Sequence, residues 1–208
     1  MRDILRLVCT LTLIACIAGA VLSLVEVATR EPIAAQRRLV MLRALQAVLP
    51  AFDNQPDNDT VTLGRGRDKR GRELRQTFFR ARSDGKLVGI AFSATAPDGY
   101  SGNIDIMVGI TPDGTVQAIE ILAHMETPGL GDKITHQPFK QQFHDKSLDN
   151  ADWRVKKDGG GFDQITGATI SPRAVVGAVR KALEFYHRNS AAITAPEPAE
   201  TPPTGGGE

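Results

Sequence analysis

The stretch IDIMVGITPDGTVQAIEIL, residues 104–122, decides the fold class. Ile104 to Ile110 and Val116 to Leu122 are β-prone runs joined by Thr111-Pro112-Asp113-Gly114, a turn-forming tetrapeptide. Strands that close in sequence pair antiparallel, because a parallel pair needs a long crossover. Just upstream, Thr77 to Arg82 and Leu87 to Ser93 form a second pair, joined by Ser83-Asp84-Gly85-Lys86. The pattern is an antiparallel meander and not a βαβ alternation. Downstream, residues 127–137 read as glycine-rich loop, Phe139 to Phe143 as the opening of a short helix, and Asp158 to Gly167 as loop again. Pro172 to His187 reads as a helix with Val175, Val176, Val179, Ala182, Leu183 and Tyr186 on its apolar side. The expectation is an α+β fold: a twisted antiparallel sheet with packed helices, plus one N-terminal transmembrane helix.

The ends differ from this middle. Leu7 to Val25, LVCTLTLIACIAGAVLSLV, carries no charge. As a helix it would run roughly 28 Å, close to the bilayer hydrocarbon thickness. A cleaved signal peptide (Ala18-Gly19-Ala20) and a lipoprotein signal (Leu13-Ile14-Ala15-Cys16) are the competing readings. Both leave apolar sequence running on to Val25 that cleavage does not need, so the segment reads as an uncleaved anchor. Arg2 and Arg6 lie on one side, and Arg30, Arg37 and Arg38 on the other, so charge alone barely decides orientation. Glu31 to Leu49 reads as an amphipathic helix, with Pro32 as a break or kink and Pro50 as its end. Residues 51–60 are polar turn-formers. The division expected is anchor 1–30, connecting helix and loop 31–60, folded domain 61–190 and a disordered Pro/Ala/Thr/Gly tail 191–208.

Composition closes off several function classes. The 208 residues hold 25 basic and 24 acidic side chains, a net charge of +1, which argues against nucleic acid as a partner. The two cysteines, Cys9 and Cys16, both fall in the anchor, so the folded part has no thiol for a disulfide or metal centre. His124, His136, His144 and His187 have no metal-ligand spacing, and no metal site is expected. There is no phosphate loop and no covalent-haem motif. Arg65, Arg67, Lys69, Arg70, Arg72 and Arg75 form a basic run, read as a solvated loop that could also meet anionic headgroups or an acidic partner. Trp153 reads as a core residue, with the wall of a nearby site as the alternative.

The stretch DGGGFDQITGATISP, residues 158–172, is a glycine-rich loop leading into a helix. Ser171 reads as the N-cap and Pro172 as the first helical residue. Thr166 and Thr169 would then stand just upstream of free helix N–H groups, where a phosphate would meet the positive end of the helix dipole.

Asp163-Gln164-Ile165-Thr166-Gly167-Ala168-Thr169 resembles the flavinylation motif D-x-x-(S/T)-G-A-T. That motif marks the FMN-binding domain family of the Rnf and Na⁺-translocating NADH:quinone oxidoreductase complexes. The resemblance implies FMN joined to Thr169 through a phosphoester bond. It implies that Asp163 is read by a flavin transferase with its metal, while Gly167 and Ala168 keep the hydroxyl reachable. A second block, His124 to Ile134, resembles the family's ETPGLG segment, implying that Glu126, Thr127, Leu130 and Gly131 meet the flavin. Chain length is more similar to the Rnf branch of the family, its G subunits, than to the longer C subunits of the quinone-reducing complex.

By this resemblance the chain is an electron-carrying subunit of a membrane-bound, ion-translocating oxidoreductase. It would lack turnover alone, and no catalytic residue is expected. Its partners would be the other membrane subunits. Its place would be the bacterial inner membrane, single-pass, with the soluble domain on the periplasmic side. The alternatives are a membrane-anchored covalent FMN domain of another redox or regulatory system, and a non-redox structural module whose Thr-Gly-Ala-Thr turn only begins a helix.

Overall fold

The computed structural model describes residues 1–67 and 71–195. The elements run α1 (Arg2–Val48), β1 (Thr60–Arg67), β2 (Glu73–Ser83), β3 (Lys86–Ala96), β4 (Ile104–Ile110), β5 (Val116–Ala123), α2 (Gln137–Lys140) and α3 (Ile170–Thr194). Short 3₁₀ turns occupy Gly131–Thr135, Gln141–Phe143 and Lys156–Asp158. The chain divides into two compact units, Met1–Arg43 and Ala44–Glu208.

In the first unit α1 is a single helix, and Pro32 lies inside it without ending it. Its leucines, isoleucines and valines from Ile4 to Val27 are exposed. It is the one helix among the described residues long and apolar enough to cross a bilayer.

The second unit is built on a five-stranded antiparallel sheet in the order β1-β2-β3-β4-β5. The short connections favour this order, since each strand folds back on its predecessor. Register aligns Phe78 with Phe92, Phe92 with Val108 and Val108 with Ile119, giving one apolar row across four strands. Side chains alternate along a strand, so Ile90, Ala94, Ile104, Ile106 and Ile110 share that face. Against it lies α3, packed on β3 and β4 through Val175, Val176, Val179, Leu183 and Tyr186. Tyr186 stacks on Phe92 and donates its hydroxyl proton to the Pro112 carbonyl at 2.7 Å. Burial raises that phenol to about 12.

The other face carries a row of small residues, Ala91, Gly109 and Ala118. Small side chains let backbone approach closely, and the last turn of α1 uses the gap. A Cβ on Gly109 would lie 2.8 Å from that of Val48, and one on Gly89 2.7 Å from the Pro50 ring. The loop after α1 is fastened to β2. Asn54 donates to the Arg80 carbonyl and accepts from the Arg82 N–H, while Asp59 pairs with both Arg80 and Arg82.

Four local expectations change. Three of the four described residues of the basic run are strand and not loop: Arg65 and Arg67 lie on β1 and Arg75 on β2, with Arg72 between the strands. Bridging pairs from Thr60↔Phe79 to Arg67↔Glu73 hold the two together, and edge strands tolerate charge. Lys69 and Arg70 lie outside the described residues. The last helix starts at Ile170 and runs on through 191–194, because Ile193 is still buried against the core. The remainder of the 191–208 tail, beyond Ala195, lies outside the described residues. Residues 131–135 of the expected loop coil into 3₁₀ turn. Finally, Ser171 does not cap α3; it is the second helical residue and fully buried. Trp153 is a core residue, ringed by Phe143 and Phe162 and donating its indole N–H to the Ser147 carbonyl.

Candidate functional site

The site lies where the N-terminus of α3 meets the two loops that flank β4 and β5. Its first wall is the turn after β5. There the Leu130 N–H donates to the Thr127 carbonyl at 3.2 Å, which curls Thr127, Leu130 and Gly131 around one opening. Gly131 leaves room for this packing: a Cβ there would sit 2.6 Å from Glu126 Oε2 and 2.8 Å from Ser171 Oγ and would push that pair aside.

The second wall is the turn that ends the glycine-rich loop. The Ala168 N–H donates to the Ile165 carbonyl at 3.0 Å, and Gly167 sits at φ +81°, as the third residue of such a turn requires. The turn delivers Thr169 to the N-cap position of α3. Its side chain makes no capping bond, although threonine at that position commonly makes one. The first N–H groups of the helix therefore lack a side-chain acceptor from the cap, and the Thr169 hydroxyl is uncommitted. The loop is braced on the helix by Arg173, which donates to both Asp158 oxygens at 2.6 and 2.8 Å. The hydrogen bond to Arg173 holds the Asp158 carboxyl below its ordinary range.

Together these walls enclose a cleft of about 290 Å³, lined by Tyr100, Glu126, Thr127, Leu130, Gly131, Gly167, Ala168, Thr169, Ile170 and Ser171. That is the small end of the range for small-molecule sites. Its mouth is apolar, since Tyr100, Leu130 and Ile170 are all exposed large hydrophobics. Glu126 forms its floor, buried, with Oε1 accepting from the Ser101 N–H and Oε2 from the Ser171 hydroxyl.

Seven of the nine residues singled out from sequence meet here: Glu126, Thr127, Leu130, Gly131, Gly167, Ala168 and Thr169. Thr166 is exposed on the turn and Asp163 is turned elsewhere. Asp163 pairs with Lys156 at 2.6 Å and lines a separate depression with Lys133, His136, Phe139, Gln142, Gln164 and Ile165. Sequence reasoning misses Tyr100, Ile170 and Ser171. Tyr100 is the one aromatic in a polar turn, Pro97 to Gly102, which is a usable signal. Ser171 offers a competing and local explanation as a cap. Among the described residues no three His, Cys, Asp or Glu side chains gather as metal ligands would.

The cleft and the uncommitted hydroxyl at its helix N-terminus define a small-molecule domain suited to an anionic, partly apolar ligand. Residues 99–184 match the FMN-binding domain family, and residues 1–48 match the RnfG N-terminal region. Over 206 residues the chain is 41% identical to the G subunit of the ion-translocating oxidoreductase complex of Pseudomonas aeruginosa strain UCBPP-PA14, covering 95% of each chain. It is 43% identical to the corresponding G subunit of Shewanella baltica, covering 88% of this chain and 89% of that one. The chain belongs to this family, the G subunits of ion-translocating oxidoreductase complexes. The crystal structure of Shewanella oneidensis NqrC shares its fold, with a TM-score of 0.51 at 22% identity, over 69% of this chain and 70% of that one.

Proposed function

We propose that this chain is the electron-carrying subunit of an Rnf-type ion-translocating oxidoreductase complex, with FMN held by a phosphoester to Thr169 Oγ1. α1 anchors it in the bacterial inner membrane, and the cleft lies on the periplasmic side. The other membrane subunits are its partners, and a flavin transferase matures it.

The observation that carries this reading is Thr169 itself. It stands on the cleft at the start of α3 with a hydroxyl that no cap bond occupies. A phosphate esterified there would lie beside the first helix N–H groups, which point outward and carry the positive end of the helix dipole. Leu130 reaches over Gly167, 3.5 Å from where a Cβ would be, and would cover a planar ring, with Tyr100 also lining the cleft. Thr127 and the turn it closes would present backbone to the ring's polar edge. FMN, when bound, supplies the electron transfer; the protein holds it, orients it and sets its surroundings. Asp163, exposed outside the cleft and paired with Lys156, would be accessible to the transferase.

The test is intact mass and in-gel flavin fluorescence of denatured full-length chain, made with an active transferase. One FMN adduct, mapped to Thr169 by peptide sequencing, is expected. An unmodified chain beside a modified control target would leave Thr169 as an ordinary helix start. Co-purification with membrane subunits of an Rnf-type complex tests the assembly.

A further inference from the structure

Among the described residues Glu126 is the only buried carboxylate, 4% exposed, and it pairs with no cation there. An isolated buried charge is costly unless its oxygens are hydrogen-bonded. Its two donors come from two different chain segments. The Ser101 N–H, at 3.2 Å from Oε1, belongs to the loop between β3 and β4 that carries Tyr100. The Ser171 hydroxyl, on Oε2, belongs to the first turn of α3, two residues after Thr169. Glu126 itself opens the third segment, which carries Thr127 and Leu130. All three close tightly around the carboxylate: a Cβ on Gly99 would lie 2.8 Å from Oε1, and one on Gly131 2.6 Å from Oε2.

We propose that Glu126 and Ser171 form a buried latch holding the three walls of the cleft in register. Ser171 is then a positioning residue for flavin attachment at Thr169. This rests on the reading of Thr169 as the attachment residue. The latch acts in two ways. Pinning Ser171 fixes the rotation of the first turn of α3, and so the direction of Thr169, about 200° away around the helix axis. It also commits the Ser171 hydroxyl to the carboxylate. That hydroxyl is therefore unavailable to a ligand, and Thr169 is left as the uncommitted hydroxyl on the cleft. Glu126 works through the walls it joins, with a donor from one on each of its two oxygens.

The test uses the full-length chain with limiting transferase and a flavin dinucleotide donor. The donor's pyrophosphate bond breaks as Thr169 Oγ1 takes the FMN phosphoryl group and the other mononucleotide leaves. Intact mass reads the initial rate of FMN addition. Ser171→Ala is expected to load about tenfold more slowly, the scale of one lost hydrogen bond to a charged group. The flavin absorbance of the fraction that does load should be shifted. Glu126→Gln, which keeps both polar atoms, should recover part of the rate that Glu126→Ala loses. Loading of Ser171→Ala at the wild-type rate with the wild-type spectrum would overturn the latch. So would Glu126→Gln loading no faster than Glu126→Ala. Hydrogen exchange on the unmodified chain reads the latch without flavin. The Ser101 amide should exchange about tenfold faster in Glu126→Ala, while the Phe92 and Val108 amides in the sheet stay protected. Unchanged Ser101 exchange would overturn the latch. A wild-type chain that takes no FMN would instead count against Thr169 as the attachment residue, and exchange would still decide the latch.

Discussion

Residues 163–166 and 168–171 belong to one continuous run of sequence, yet they face different surroundings. On the first arm Asp163 is 61% exposed and paired with Lys156, and Thr166 is exposed at the turn. On the second arm Ala168, Thr169, Ile170 and Ser171 all line the cleft, with Ser171 fully buried. The hinge is Gly167 at φ +81°, a conformation that costs an L-residue about 1–2 kcal/mol. The difference separates two jobs. On the proposed function the outer arm would be presented to the transferase, while the inner arm would surround the flavin. One run of letters would then serve two partners, with a single positive-φ residue turning the chain between them.

Breaking the inner arm should have the largest effect. Thr169→Ala is expected to abolish the FMN adduct completely. Stability should change by no more than about 0.5 kcal/mol, because that side chain makes no cap bond. Intact mass and a thermal melt check both halves. Gly167→Ala should come next, destabilising by about 1–2 kcal/mol through strain at the hinge and misaligning both arms; denaturant unfolding measures it. Asp163→Asn and Leu130→Ala sharpen the contrast from opposite sides. The first should slow loading severalfold but leave the loaded spectrum unchanged. The second should retain the adduct but alter its absorbance and reduction potential. A spectral change in Asp163→Asn, or none in Leu130→Ala, would erase the distinction between the arms.

The smallest effect concerns pH. The Arg173 hydrogen bond lowers the Asp158 carboxyl in the folded state. The pair therefore adds stability above the unfolded carboxyl value, about 3.9, and that contribution fades as pH falls through the lower folded value. The two side chains are 50% and 36% exposed, so solvent screening keeps the contribution small. Asp158→Asn should narrow the difference in melting temperature between pH 7 and pH 3. An unchanged difference would show that this brace adds nothing to the stability of the second arm.

Legibility in the sequence follows the range of the interactions. Ile104–Ile110 is a strand with the bounds its apolar run suggests, since tight turns and alternation are local signals. The apolar run inside α1 is equally local. β1 is not legible, because its charged end gives no alternation and its strand character comes from pairing with β2. At the cleft, letters alone pick out Thr169 and the segment from Glu126 to Gly131. They misassign Ser171, whose partner Glu126 lies 45 residues away.

The sequence by itself determined the anchor, the meander and the family motif, because each is written within a few turns of chain. Only the tertiary structure decided what each of three nearby hydroxyls does. Thr166 stands in solvent, Thr169 is free on the cleft, and Ser171 is committed to a buried carboxylate. The physical reason is that a hydroxyl's role depends on which donor or acceptor is within reach. For Ser171 that partner arrives only when the sheet brings a distant loop against the start of α3.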